Sequence, residues 1–549
     1  MKSKIFLLKI KAIPVLLLLF SAFNLYCQDD AYKYFYRVYL TDKGDNNTVN
    51  FQPLDLLSER ALNRREKAGI AVPDFRDLPV STEYLNQITS LGFTFHCTSK
   101  WMNTALFKTV DPFDPDILLS LPFVKEVKIV RSPAEKSQHK DKLDFSTYQS
   151  DLPQYDQPIN MLNGHIIHNS GFDGKGILIA VLDGGFKNAG IISSLKMLHL
   201  RKGVKKTRDF VTNTDYVYEY HTHGTAVLSI LAGRINDTIE GTAPGADFLL
   251  FRTEDTGSEF PVEEDFWIAA AEYADSAGAD IITSSLGYST FDDPLLNYKF
   301  ADLDGNSTFI TKAADIAASK GILVFSSAGN ERNKEWIRIL APSDGDSVMS
   351  VGAVDGNGTI AVFSSAGPSS DGRIKPDNST MGVSVTVQTA GNSVTRSNGT
   401  SFSCPVLSGM TACLMQAVPD ATNTEIIDAL HSSSDRFNKP DSLYGYGIPD
   451  MAQALSKIQD LHTEIPDKAT IAGPNPTTGE IEVTFKEPPE KIIIEIFTSS
   501  GTRIYRKDFK EYTGRTIRIS VLNKTNEGLY FVRLITGTGV YLHKIIKTR

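Results

Sequence analysis

The chain is 549 residues long, 41% hydrophobic and 22% charged, an ordinary globular balance too long for one domain; about three are expected, each able to bury a core. A formal net charge of −9 argues against nucleic acid as the main partner. The four cysteines do not make a disulfide framework: Cys27 and Cys97 fall in segments expected to be removed, and Cys404 and Cys413 lie on one predicted helix, about 13 Å apart by helical rise.

Lys2, Lys4, Lys9 and Lys11 precede the apolar residues 15–20, and polar Gln28-Asp29-Asp30 follow. That pattern reads as a signal peptide over residues 1–27, too short to span a bilayer. Asn24-Leu25-Tyr26 lack the small residues that lipoprotein processing at Cys27 would want. Residues 28–131 read as a compact α/β unit, with strands at 34–40, 104–110 and 124–130 and helices at 58–68, 82–91 and 115–120. Residues 132–154 form a linker whose Lys/Asp/Ser-rich stretch at 132–150 is expected to be exposed and cleavable. From 155 to 461 strands alternate with helices, the pattern of a parallel sheet covered on both faces.

Within that region an all-apolar run, 177–182, delivers Asp183 at the C-terminal end of a buried strand, where ligands of open α/β sheets collect. His221-Thr222-His223-Gly224-Thr225 places an imidazole at the start of an apolar helix. A third run ends in Ser285-Leu286-Gly287, and a fourth ends in Ala328-Gly329-Asn330-Glu331. Last comes Gly399-Thr400-Ser401-Phe402-Ser403-Cys404-Pro405. A proline is tolerated only in the first turn of a helix, which puts Ser401 at or just before a helix N-terminus. Free N–H groups and the helix dipole there favour the negative oxygen of a tetrahedral acyl intermediate. Alone, Gly-Thr-Ser is an N-cap and Gly-Asn a turn. A serine nucleophile, however, needs a base, and the base needs a carboxylate; the other segments carry both.

The order Asp-Gly-Gly, His-Gly-Thr, Gly-Thr-Ser-x-x-x-Pro resembles the subtilisin-like serine peptidases, the subtilases. The resemblance implies that Asp183 orients the base, His223 acts as general base and then acid, and Ser401 is the nucleophile. It further implies that the Asn330 amide donates to the oxyanion beside the Ser401 N–H, and that Ser285, Leu286 and Gly287 pair with an extended substrate. Gly184 stands where many subtilases carry Ser or Thr, so one hydrogen bond to the aspartate is expected to be missing. His221 matches no motif position, and a His-x-His pair lacks an evident third metal ligand. In the insertion-like loop 288–307, Asp302-Leu303-Asp304-Gly305-Asn306 fails the EF-hand spacing and reads as a solvated acidic turn. No metal or other cofactor is assigned, and structural calcium is left open. Glu331 is placed near the rim of the primary specificity pocket, without a preferred side chain. Residues 363–368 and 371–377 resemble a subtilase surface segment. The 28–131 unit is similar to inhibitory propeptides, which fold against the catalytic domain and leave a C-terminal segment in the groove; a permanent accessory domain is the structural alternative.

Residues 462–473, with Glu464-Ile465-Pro466-Asp467, read as a second linker. Short strands from 481 to 546, separated by turns such as Ser500-Gly501, predict an all-β sandwich over 474–549. From residue 466 on there are 14 Lys/Arg against 9 Asp/Glu in a chain that is acidic as a whole, which suggests a partner for the tail. Pro474-Asn475-Pro476-Thr477-Thr478-Gly479 and the ending Gly528-Leu529-Tyr530-Phe531-Val532-Arg533 to Lys547 resemble the C-terminal sorting domain of the bacterial type IX secretion system. A carbohydrate-binding sandwich would want exposed aromatics in a row, and this segment has no tryptophan. The whole reads as an exported subtilisin-like endopeptidase made as a self-inhibited precursor. Its partners are protein or peptide substrates and the type IX machinery, with no nucleic acid and no transmembrane anchor. The alternative is a catalytically silent surface adhesin or binding protein on the same fold.

Overall fold

A computed structural model describes residues 32–133, 142–143, 145–148, 157–462, 470–485, 491–510, 513–537 and 539–549. The signal-peptide reading of residues 1–27 and the Glu464-Ile465-Pro466-Asp467 linker lie outside them. Among the described residues no helix is long and apolar enough to cross a membrane, and Cys97, Cys404 and Cys413 are free.

The central sheet has seven parallel strands in the order Asn378–Met381, Val348–Val354, Leu323–Ser327, Ile281–Ser284, Leu178–Asp183, Asp247–Arg252, Val204–Asp209. Alternate side chains feed two cores. From Leu178–Asp183, Ile179 and Val181 join the helices His223–Ala232 and Thr400–Ala417, while Leu178, Ala180 and Leu182 face Val262–Ala277 and Phe309–Ser319. A strand buried on both faces has no polar side to show, which is why it reads as a continuous apolar run.

The N-terminal unit is a four-stranded antiparallel sheet in the order Thr94–Ser99, Thr104–Thr109, Tyr34–Leu40, Val124–Arg131. Strand Tyr34–Leu40 alternates: Tyr36, Val38 and Leu40 fill the unit's own core, while Phe35 packs against the catalytic domain. The basic helix is Glu59–Lys67, capped by Ser58. The unit docks on Val262–Ala277 through buried charge. Arg37 donates to both oxygens of Asp265 at 2.6–3.0 Å, and Arg65 bridges Asp77 and Asp275 at 2.6–2.9 Å. The amides of Lys100 and Trp101 donate to the Glu272 carboxylate at 2.9 and 3.0 Å.

The tail forms two antiparallel sheets, of three and four strands, around one core that includes Ile481, Ile494, Val532 and Ile545. Its first strand, Thr470–Gly473, pairs with Ile481–Phe485 and falls in the stretch read as linker. Leu529 and Ile546 join the larger core, and His165 meets Glu527 at 3.1 Å.

Candidate active site

Asp183 ends its strand at the C-terminal edge of the sheet and is fully buried. His223 opens its helix and points its Nδ1 at that carboxylate, 2.9 and 3.0 Å from the two oxygens. Two glycines make this approach possible. A Cβ at Gly224 would stand 2.5 Å from the Gly185 carbonyl and 3.0 Å from Asp183 Cβ. One at Gly185, whose φ of 146° suits glycine, would stand 2.7 Å from the His221 amide. The Gly184 N–H donates to Asp183 Oδ1 at 2.7 Å, and His221 Nδ1 accepts from the His223 N–H at 3.2 Å. His221 thus sits beside His223 as a support for its backbone.

Ser401 is the second residue of the helix Thr400–Ala417, and its hydroxyl donates to the Ser285 carbonyl at 3.4 Å. Phe402, next in the chain, lies against His223 with ring centroids 5.9 Å apart. The placement of Ser401 agrees with the sequence, but the reason given for it needs correction, because Pro405 lies in the second turn of the helix and not the first. A proline there cannot bond to the carbonyl four residues back, which is that of Ser401. The Ser285 hydroxyl donates to that carbonyl at 2.9 Å and satisfies it, so the missing helix bond becomes a tie between the helix Thr400–Ala417 and the segment Ser285-Leu286-Gly287.

Asn330 follows the strand Leu323–Ser327 and is locked by its oxygen, which accepts from the Thr400 N–H at 2.9 Å and the Thr400 hydroxyl at 3.0 Å. Both are donors, so the Oδ1 position is fixed and Nδ2 is the end left to donate elsewhere. Leu286 is buried, and Gly287 is held close to Leu340, since a Cβ there would come within 2.7 Å of it. Glu331 pairs with Lys334 at 2.8 Å. In the 288–307 loop Asp304 caps the amides of Asn306 and Ser307 at 2.8 and 2.7 Å, so its carboxylate closes its own turn.

Among the described residues of the stretch expected to be an exposed linker, Ser146 and Thr147 are exposed, whereas Lys142, Leu143 and Phe145 are half-buried. Its described residues 142, 143 and 145–148 run across the sheet edge, through the cleft. Phe145 packs edge-on against His223 and Phe402 with centroids 5.6 and 5.4 Å away. The Ser397 hydroxyl donates to the Ser146 carbonyl at 2.9 Å, and Thr147–Tyr148 pairs antiparallel with Arg396–Ser397. Leu143 occupies the space a side chain at Gly184 would need. Lys142 enters a pocket of Glu254, Glu259 and Glu263. Composition alone had averaged these specific partners into a polar stretch.

Residues 174–447 match the model of the subtilase family, residues 35–144 that of the peptidase S8 propeptide domain of Bacteroidota, and residues 473–548 that of a secretion system C-terminal sorting domain. A thermostable alkaline protease of Halalkalibacterium halodurans is 30% identical over 294 residues, covering 53% of this chain and 70% of the relative. The chain belongs to the subtilases. Subtilisin E of Bacillus subtilis is 29% identical over 294 residues, 53% of this chain and 68% of that protein. A variant of the epidermin leader peptide processing serine protease of Staphylococcus aureus shares the fold, with a TM-score of 0.54 at 15% identity, covering 77% of this chain and 99% of that one.

As a subtilase the protein is a serine endopeptidase with a propeptide, and its sorting domain marks it for type IX export to the cell surface or beyond. Sequence reasoning missed the acidic pocket and the residue that fills it. The signal was present as six acidic residues, Glu254, Asp255, Glu259, Glu263, Glu264 and Asp265, within one short stretch. Such a run ordinarily means a solvated face, whereas Glu254, Glu263, Glu264 and Asp265 are buried.

Proposed function

We propose that this subtilase is a secreted endopeptidase made as a self-inhibited precursor, with Asp183, His223 and Ser401 as its catalytic triad. The observation that carries this reading is the Nδ1 contact of His223 with the Asp183 carboxylate, at 2.9–3.0 Å, on the floor that also holds Ser401. With Nδ1 donating to the carboxylate, Nε2 is the nitrogen that carries the lone pair. Once a peptide replaces the linker, the Ser401 hydroxyl turns from the Ser285 carbonyl to His223. Its oxygen attacks the peptide carbon while its proton passes to Nε2, and Asp183 stabilises the imidazolium. The developing oxyanion accepts from Asn330 Nδ2 and the Ser401 N–H. The proton on Nε2 goes to the departing amine, and water repeats the sequence on the acyl-enzyme to release the acid and free Ser401. Substrate backbone pairs along Ser285, Leu286 and Gly287 ahead of the bond that is cut, and along Val394–Ser397 after it, as the linker does on the latter side.

The test is covalent labelling of the processed protein with a fluorophosphonate. The expected result is one adduct, mapped to the peptide containing Ser401. A processed, folded protein that takes no label would favour the silent adhesin.

A second expected result concerns the oxyanion. Asn330→Asp keeps an acceptor for the Thr400 N–H and hydroxyl but deletes the Nδ2 donor. The expected loss in kcat is about 10²- to 10³-fold, the range that work on subtilisin itself set for one such donor, with little change in KM. An unchanged kcat would remove Asn330 from the mechanism.

A further inference from the structure

The Lys142 ammonium lies 2.7 Å from Glu254 Oε2, 3.1 Å from Glu259 Oε2 and 2.6 Å from Glu263 Oε2. Its side chain is 18% exposed, and those of Glu254 and Glu263 are 2% and 1% exposed. Two of the three remaining oxygens are committed elsewhere: Tyr288 donates to Glu254 Oε1, and the Asp255 N–H donates to Glu263 Oε1 at 2.8 Å. Each glutamate turns one oxygen to the ammonium, three acceptors for its three N–H bonds, and Glu263 Oε2 also accepts from the Phe260 N–H at 3.3 Å. An ammonium matches that geometry as a point charge, whereas the planar fork of a guanidinium does not.

Lys142 belongs to a segment that the reaction is expected to remove, while the three glutamates belong to the domain that remains. We propose that this pocket selects substrates, taking the ammonium of a lysine that lies within three residues ahead of the bond to be cut. The inference rests on the endopeptidase reading above and adds a substrate class to it: extended peptides with lysine at that place, for which the protein's own linker is the template. The spacing follows from the path of the linker, since three residues after Lys142 the Phe145 ring already lies against His223, and Ser146 is held by Ser397. Gly184 contributes by leaving room for the residue after the lysine, Leu143, which a Cβ would displace.

An empty pocket would be costly, which strengthens the preference. Burial pushes the Glu259 carboxyl up to about 7 and Glu263 well above the usual carboxylate range, even with the cation present. Burial by itself would depress the Lys142 ammonium, but Glu254, Glu259 and Glu263 outweigh it and hold its pKa well above the ordinary lysine value. A hydrophobic side chain in the same place would leave the three glutamates facing each other with no cation between them.

The experiment uses the processed enzyme and a peptide series X-Leu-Asp-Phe-Ser, extended at both ends, with X as lysine, arginine, norleucine or glutamate. Lysine is expected to exceed norleucine in kcat/KM by about tenfold or more, with arginine between them and glutamate poorest. Glu259→Gln is expected to shrink the lysine-to-norleucine ratio. In the full chain, Lys142→Met is expected to slow self-processing. Cleavage of the whole series at similar rates would overturn the proposal and leave the endopeptidase reading standing; cleavage of no peptide would remove both. A wild-type enzyme without lysine preference that binds one calcium ion, lost in Glu259→Gln, would assign the glutamates to a cation and also overturn it.

Discussion

Ser401→Ala is expected to abolish peptide cleavage, with a loss on the order of 10⁶ in kcat, the size of effect that removal of the nucleophile has in subtilisin itself. The loss should be chemical and not structural. The hydroxyl's hydrogen bond to the Ser285 carbonyl is long, at 3.4 Å, and a bond of that kind contributes about 1 kcal/mol or less to folding. The tie that organises the site, from the Ser285 hydroxyl to the Ser401 backbone carbonyl, survives the substitution. The variant should therefore accumulate as a folded precursor with the 142–148 segment uncut, at the intact mass of the unprocessed secreted chain and with a melting temperature close to that of the same uncut form trapped by an active-site inhibitor. Self-processing of purified Ser401→Ala, or turnover equal to that of wild type, would dismiss the triad.

The second large effect lies at the docking face of the propeptide. Arg37 and Asp265 are 228 positions apart in the chain, buried, and joined through both carboxylate oxygens, with Glu264 at 3.4 Å and the Phe309 ring 3.5 Å from the guanidinium carbon. Removing one partner of such a pair leaves a buried charge without compensation, at a cost of about 3–5 kcal/mol. Arg37→Met should therefore weaken the cleaved propeptide's hold on the enzyme by on the order of 10²-fold or more, read as faster appearance of activity after dilution of the processed complex. Adding Asp265→Leu should restore much of the hold, since two apolar groups of similar size replace a buried ion pair with little loss. If Arg37→Met and wild type release activity at the same rate, the buried pair contributes nothing to inhibition.

The elements with the strongest patterns were legible before any coordinates. Leu178–Asp183 and Leu323–Ser327 are buried on both faces, so each opens with an unbroken apolar run, 178–182 and 323–325, and the polar residues that end it stand out. The strand Thr94–Ser99, Thr-Phe-His-Cys-Thr-Ser, escaped notice because it is short, mostly polar and only partly buried. Thr470–Gly473 escaped because a four-residue strand at the end of a predicted linker carries no period of its own. The helix Thr400–Ala417 was found at the right place on a mistaken rule. Its proline sits one turn further in than a helix alone would tolerate, and Ser285, 116 positions earlier, makes it acceptable.

By itself the sequence determined the subtilase membership and the presence of a propeptide and a sorting tail, and it singled out Asp183, His223 and Ser401 as the candidates for acid, base and nucleophile chemistry. Short-range patterns carry that information, because burial and turn geometry act on neighbours in the chain. Only the tertiary structure decided that the supposed linker crosses the cleft, that Gly184 makes room for Leu143, and that Lys142 meets Glu263, 121 positions away, among two further carboxylates. Those contacts depend on how the helix Val262–Ala277 and its preceding loop pack on the sheet, and hydrogen bonds and charge act over a few ångströms of space whatever the distance along the chain.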